Sequence, residues 1–227
     1  YVGTGASGNT VVTGFEPAFV MLKSTSAAGN WRMWDNKRNT QNPRNNVLIA
    51  NGSNSEFTND VAIEFLENGF SFLGSGSNDS GDTFIYMAFA ADPTTIEPTL
   101  EDSFNTVAYT GNGGTQTLYT TSDNTINGTG GFQPDLVWVK NRSAANPHSL
   151  QDTVRGDFYL RSNATDAEAA TSGFNISSYN DKGFTVKDDT NGAYNVNGSV
   201  GGLYSGDAQY VAWAWKGAEI PAINSNG

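Results

Sequence analysis

The chain has 227 residues, 37% of them hydrophobic, 12% aromatic and 15% charged, with a formal net charge of -11. That much negative charge repels a phosphate backbone, so neither nucleic acid nor an anionic membrane is an expected partner. Cysteine is absent, which removes disulfides, thiolate metal sites and a cysteine nucleophile, and no apolar run approaches the 18 or so residues of a membrane helix.

In chain order the first signal is Gly14-Phe15-Glu16-Pro17. The residue before proline is held extended and the glycine permits a sharp entry, so this reads as a corner leading into a strand at Val20-Met21-Leu22. Trp31 and Trp34 follow, then Asp35-x-x-Arg38, which reads as a charge-paired turn or strand end. Val61 to Leu66 and Phe70-Ser71-Phe72 partly alternate, as half-buried strands do. Asn-Gly pairs at 51, 68, 127, 191 and 197 signal tight type I′ hairpin turns. Phe84 to Phe89 is an alternating aromatic strand, followed by a proline-rich, acidic stretch that predicts an extended linker over 92–107.

The same order then returns. Gly131-Phe132-Gln133-Pro134 leads into Leu136-Val137-Trp138-Val139, and Asp152 and Arg155 repeat Asp35 and Arg38. Asp181-Lys182-Gly183-Phe184 matches Glu67-Asn68-Gly69-Phe70, and Tyr210 to Trp215 matches the strand at Phe84 to Phe89. The period of roughly 110 residues is that of a whole small domain rather than of a solenoid repeat. The alanine-rich stretch Asn163 to Ala170 favours a turn or two of helix. The expected fold is therefore all-β: two tandem β-sandwich domains, jelly-roll or lectin-like, related by internal duplication. They should span 1–91 and 108–217, with linkers at 92–107 and 218–227. Starting at Tyr1 and ending at Asn226-Gly227, the chain reads as a processed or partial piece of something longer.

Motifs for catalysis are weak. With 23 acidic residues, carboxylate pairs carry no information, and the Asp-x-x-Arg pair occurs once per unit, as scaffold does. The one histidine, His148, lies in a loop-like stretch, and no Gly-x-Ser-x-Gly elbow presents a serine to it. Without cysteine, a zinc site of the usual kind is excluded. Calcium is the one cofactor the sequence keeps open. Asp188, Asp189 and Asn191 cluster oxygens in a turn, as does Asn78 to Asp82, but neither stretch is an EF-hand loop, and a solvated acidic turn is the preferred reading.

Trp213 and Trp215 share a strand face with Val211 and read as core, as does Trp138, which falls on Met21. Trp31 and Trp34 align with His148 and Gln151. A position that accepts histidine or glutamine is expected to be partly exposed, so these four residues are the candidates for a ligand or interface surface, against packing specific to each domain.

Tyr109 to Gln116, Gly131 to Arg142, Gly183 to Val186 and Tyr210 to Lys216 resemble a repeat domain of virion proteins of marine bacteriophages, often tail-fibre-like. The resemblance covers 109–217. The first unit departs from it, with Met21 for Trp138 and Trp31-Arg32-Met33-Trp34 for His148-Ser149-Leu150-Gln151. It implies a noncatalytic virion component exposed on the particle, as fibre, decoration or receptor-contacting module. Other virion proteins would be its partners, and a homo-oligomer, trimeric in a fibre, is expected. A lectin-like module for host surface glycans is the alternative, and a glycan depolymerase the third.

Overall fold

A computed structural model of the chain describes residues 1–90, 103–171, 175–188, 196–198 and 208–217. The described residues form strands and turns with no helix, in two sandwiches that follow the duplication.

In the first unit, β1 (Thr10–Val12), β2 (Pro17–Ser24), β3 (Arg32–Asp35), β4 (Arg44–Ile49), β5 (Phe57–Leu66), β6 (Gly69–Phe72) and β7 (Phe84–Ala90) form one antiparallel sheet in the order β1-β6-β5-β4-β3-β2-β7. The first half of β4 pairs with β5, while Leu48 and Ile49 pair with β3. The sheet folds over at that strand, so Val20, Leu22, Trp34, Val47, Phe70 and Phe72 meet in one core.

In the second unit the strands are β8 (Phe104–Thr110), β9 (Thr115–Tyr119), β10 (Leu136–Asn141), β11 (Ser149–Asp152), β12 (Phe158–Leu160), β13 (Ala169–Ala170), β14 (Asn175–Asn180), β15 (Gly183–Lys187) and β16 (Gln209–Trp215). They form two layers, β13-β12-β11-β10-β16-β8 and β14-β15-β9. Here β10 stands where β2 stands in the first unit, β16 where β7 stands, and β14-β15-β9 repeats β5-β6-β1.

The Gly-Phe-x-Pro corners are where the sequence puts them. Gly14 and Gly131 have φ of 88° and 96°, and Pro17 opens β2. The paired hairpins differ from the type I′ expectation. Leu66 pairs with Gly69 and Asn180 with Gly183, so the two-residue turns are Glu67-Asn68 and Asp181-Lys182. Glycine follows each turn because a neighbouring strand runs very close: a Cβ on Gly69 would lie 2.0 Å from the Val11 carbonyl oxygen, and one on Gly183 2.0 Å from that of Leu118.

Two further expectations are corrected. Strand β8 begins at Phe104, inside the stretch expected to be linker, because residues 104–110 pair along the whole of β16. The rest of that linker, 92–102, and the tail 218–227 lie outside the described residues. No helix forms over 163–170. Two turns of helix lack the length to sustain themselves, and Ala169 and Ala170 instead pair with Tyr159 and Phe158 at the edge of the sheet.

Candidate functional site

β2 is apolar at every position from Pro17 to Leu22, and β16 reads Tyr-Val-Ala-Trp-Ala-Trp from Tyr210. Strands alternate faces, so such runs require burial on both sides. Val20 and Leu22 point into the first sandwich, and Tyr210, Ala212 and Ala214 into the second. The opposite faces meet each other. Phe19, Met21, Met33 and Leu48 of the first unit pack against Val211 and Trp213 of the second, with Trp31, Phe89, Phe104, Trp138 and Trp215 closing the cluster. Its rings interlock edge to face, with Phe19 5.5 Å and Trp138 5.6 Å from Trp213, and Phe89 stacks on Phe104 at 4.9 Å. Trp138, Trp213 and Trp215 thus belong to a core between the units rather than to one inside the second sandwich.

A polar network flanks this junction. Asp35 Oδ1 accepts from the amides of Lys37 and Arg38, while its Oδ2 accepts from Arg38 Nε at 2.6 Å and from Trp213 Nε1 at 3.2 Å. Arg38 Nη1 reaches Glu56 at 2.7 Å, and Glu56 in turn is gripped from the second unit by Arg142, with Nη2 at 2.7 Å and Nε at 3.0 Å. Burial alone lowers the Arg38 pKa, but Asp35 and Glu56 outweigh it and raise it, so the guanidinium stays charged. The repeated motif in the second unit keeps the turn geometry, with Arg155 Nε 2.6 Å from Asp152 Oδ2, yet it is partly exposed and among the described residues no third charged side chain forms an ion pair with it. Asp-x-x-Arg therefore caps a strand in both units, and only the first copy joins the junction.

His148 is buried at the same seam. Trp138 Nε1 donates to its Nδ1 at 2.7 Å, and its Nε2 faces the carbonyl oxygens of Ile49 and Gly52 at 2.9 and 3.0 Å. Only the neutral tautomer with the proton on Nε2 satisfies all three contacts. Burial, then the nearby charge of Lys140, lowers its pKa to about 4. Lys140 is itself enclosed, with Nζ donating to Asn141 O at 2.8 Å and to Ser53 O of the first unit at 3.2 Å, and burial lowers its pKa to about 8. Ser162 Oγ adds a bond to Ala50 O at 2.7 Å.

Three of the four expected contact residues are therefore buried rather than on an exposed surface. Trp34 is 0% exposed in the first core, and His148 and Gln151 are each 1% exposed. Gln151 lies inside the second sandwich, where its amide donates to Ile176 O and accepts from Ile176 N, tying β11 to β14. Its polarity is satisfied by backbone rather than by solvent, which is why histidine or glutamine tolerates burial there. Trp31 is partly buried against the junction core.

Sequence reasoning missed two equivalent asparagines. Asn78 and Asn197 are both 0% exposed, and their Oδ1 atoms accept from Thr4 N and Asn112 N. Each clamps the loop following its glycine, Gly3 or Gly111, and the only signal was Asn197 within an Asn-Gly pair. Asn78 is thereby removed from the oxygen cluster considered for calcium. Of the other calcium candidates Asp188 directly follows β15, while Asp189 and Asn191 lie outside the described residues. Among the described residues no three of histidine, cysteine, aspartate and glutamate gather as a metal site.

At one end of the junction is a cleft of about 130 Å³ lined by Asn36, Lys37, Asn105, Thr106, Thr120 and Ser122. That is smaller than the roughly 300 to 1,000 Å³ of ordinary ligand pockets. Thr106 Oγ1 and Asn36 Oδ1 are buried beside it without a hydrogen-bond partner. No curated protein and no solved structure matches the chain. The model of the family described as "Domain of unknown function (DUF7483)" matches residues 1–93 and 99–227, one region per sandwich, and the chain belongs to that family.

Proposed function

We propose that the chain is a noncatalytic structural module of a phage particle, a fibre, decoration or receptor-contacting element at the particle surface, assembled with other virion proteins. The observation that carries this reading is what the polar groups of the junction do. The single histidine, the buried lysine and the Asp35-Arg38-Glu56-Arg142 chain are all engaged in fixing one sandwich to the other. A general base needs a free nitrogen facing a substrate, whereas both nitrogens of His148 are committed to protein groups. Rigid docking suits display, since repeated copies on a particle turn weak contacts into avidity. Immunogold labelling of intact particles tests the reading. Label on heads supports decoration, label on tail tips supports adsorption, and unlabelled particles overturn it.

A second reading, a binding module for host surface glycans, is favoured by the cleft. Its amides and hydroxyls are the groups that bind sugar hydroxyls, and Thr106 Oγ1 is left without a partner there. A glycan screen with Thr106→Val and Lys37→Ala tests it. Loss of a bound glycan in both variants is expected, and unchanged binding, or none by the intact protein, removes the reading.

A further inference from the structure

The Asn-Gly pairs among the described residues differ in how firmly the glycine amide is held. Gly69 is paired with Leu66 in the sheet and closed in by the Val11 carbonyl. Gly128 N donates to Thr125 O at 3.1 Å and Gly198 N to the Tyr210 hydroxyl at 2.9 Å, and Asn197 is itself 0% exposed. The Asn51-Gly52 pair lies instead in the loop between β4 and β5, with Asn51 exposed and Gly52 N donating to Ile49 O across a stretched 3.4 Å.

That difference bears on reactivity. Where glycine follows asparagine, no Cβ obstructs the approach of the glycine nitrogen to the asparagine side chain. The nitrogen gives up its proton to solvent and attacks Cγ, a C–N bond forms, and Nδ2 leaves as ammonia. Water then opens the resulting cyclic imide at either carbonyl, giving aspartate or isoaspartate. In isoaspartate the main chain runs through the β-carbon and is longer by that carbon. The net reaction takes up water and releases ammonia, and it needs no oxidant. At Asn51 the reacting oxygen already has a donor: Trp31 N–H donates to Oδ1 at 2.9 Å, where negative charge develops as Cγ is attacked. Nδ2, the leaving group, donates to Asn30 Oδ1 at 2.9 Å.

We propose that Asn51 is a modification site that converts by itself to isoaspartate, and that this conversion unlatches the junction between the sandwiches. The turn at Asn51 leads directly into the segment that receives the second unit. Gly52 O faces His148 Nε2 at 3.0 Å, Ser53 O accepts from Lys140 Nζ at 3.2 Å, and Glu56 holds Arg142 at 2.7 Å. An added main-chain carbon immediately before Gly52 shifts these acceptors relative to their donors. His148 and Lys140 are enclosed, and side chains packed at interior density do not follow such a shift.

The test incubates the intact protein at mildly alkaline pH, which favours loss of the glycine proton. Peptide mapping by mass spectrometry follows the amide-to-carboxylate mass gain at Asn51, Asn68, Asn127 and Asn197, and an isoaspartyl methyltransferase assay identifies the isomer. Asn51 is expected to convert on the order of fivefold faster than each of the others, the rate effect of one ordinary hydrogen bond on the glycine amide. In the converted protein the Trp138 indole N–H, which donates to His148, should exchange on the order of tenfold faster. Asn51→Gln, whose longer side chain closes the ring poorly, should keep slow exchange through the same incubation. Asn51→Ser replaces it if the fresh glutamine variant is already loosened. Freshly made Asn51→Asp, which carries the charge without the added carbon, should also exchange slowly. Conversion at Asn68, Asn127 or Asn197 as fast as at Asn51, or none at Asn51, overturns the site. Conversion at Asn51 with unchanged Trp138 exchange overturns the unlatching. Fast exchange in fresh Asn51→Asp, or in the incubated variant that cannot cyclise, overturns the lengthened main chain as its cause.

Discussion

Acidification should weaken this protein through His148 before it reaches most of the carboxylates. In the folded chain the imidazole is held neutral, with Nδ1 receiving the Trp138 N–H. A second proton would have to sit on Nδ1, pointing at that donor. The folded pKa is about 4 against an ordinary 6.5, so in between the unfolded chain binds the proton and the folded one does not. Stability is therefore complete above pH 6.5 and is lost as pH falls toward 4. At up to ~1.4 kcal/mol per pH unit the loss is about 3 kcal/mol. Urea denaturation at pH 7, 5.5 and 4 measures it, with His148→Gln as reference because its amide does not titrate. The variant should be less stable at pH 7 and should lose about 3 kcal/mol less between pH 7 and pH 4. Equal losses in the two proteins would refute the assignment of a buried neutral imidazole.

Glu56→Gln leaves the fully buried Arg38 with Asp35 alone and weakens the grip of Arg142, at a cost of about 3 kcal/mol in chemical denaturation. Trp213→Ala empties the junction core and removes a donor to Asp35. The loss should be about 3 to 5 kcal/mol, and calorimetry should show one melting transition becoming two as the sandwiches uncouple. Gly183→Ala forces a Cβ onto the Leu118 carbonyl at 2.0 Å and should cost more than about 2 kcal/mol, whereas Gly29→Ala, which meets nothing within 4 Å, should be close to neutral in the same assay.

The architecture was legible because duplication exposes scaffold. The Gly-Phe-x-Pro corners, the Asp-x-x-Arg turns and the glycines at 69 and 183 recur since each answers a backbone requirement that both sandwiches share. The junction was less legible. Its strongest sign was that β2 and β16 are apolar on both faces, and such a run looks the same whether its second face meets another layer of its own domain or a neighbouring one. Hydropathy also hid the burial of His148 and Gln151, whose polar atoms bond to backbone carbonyls and amides contributed by distant segments. Arg142 and Glu56 lie 86 residues apart, and nothing local in either marks the other. β8 was missed because Asn105 and Thr106 interrupt its apolar pattern, and the ladder to β16 decides its conformation.

The two copies bury the same face of the same sheet against one another, through β2 and β7 in one and β10 and β16 in the other. In a two-fold dimer identical protomers would have to present one surface serving as both halves of the contact. Joining the copies in one chain lifts that restriction. One half specialises as giver, with His148, Lys140 and Arg142 reaching across, and the other as receiver, with the carbonyls of Ile49, Gly52 and Ser53 and the carboxylate of Glu56. Asymmetry of this kind also makes the pairing directional: a first unit meeting another first unit would bring these receivers together without the side-chain donors His148, Lys140 and Arg142 to fill them.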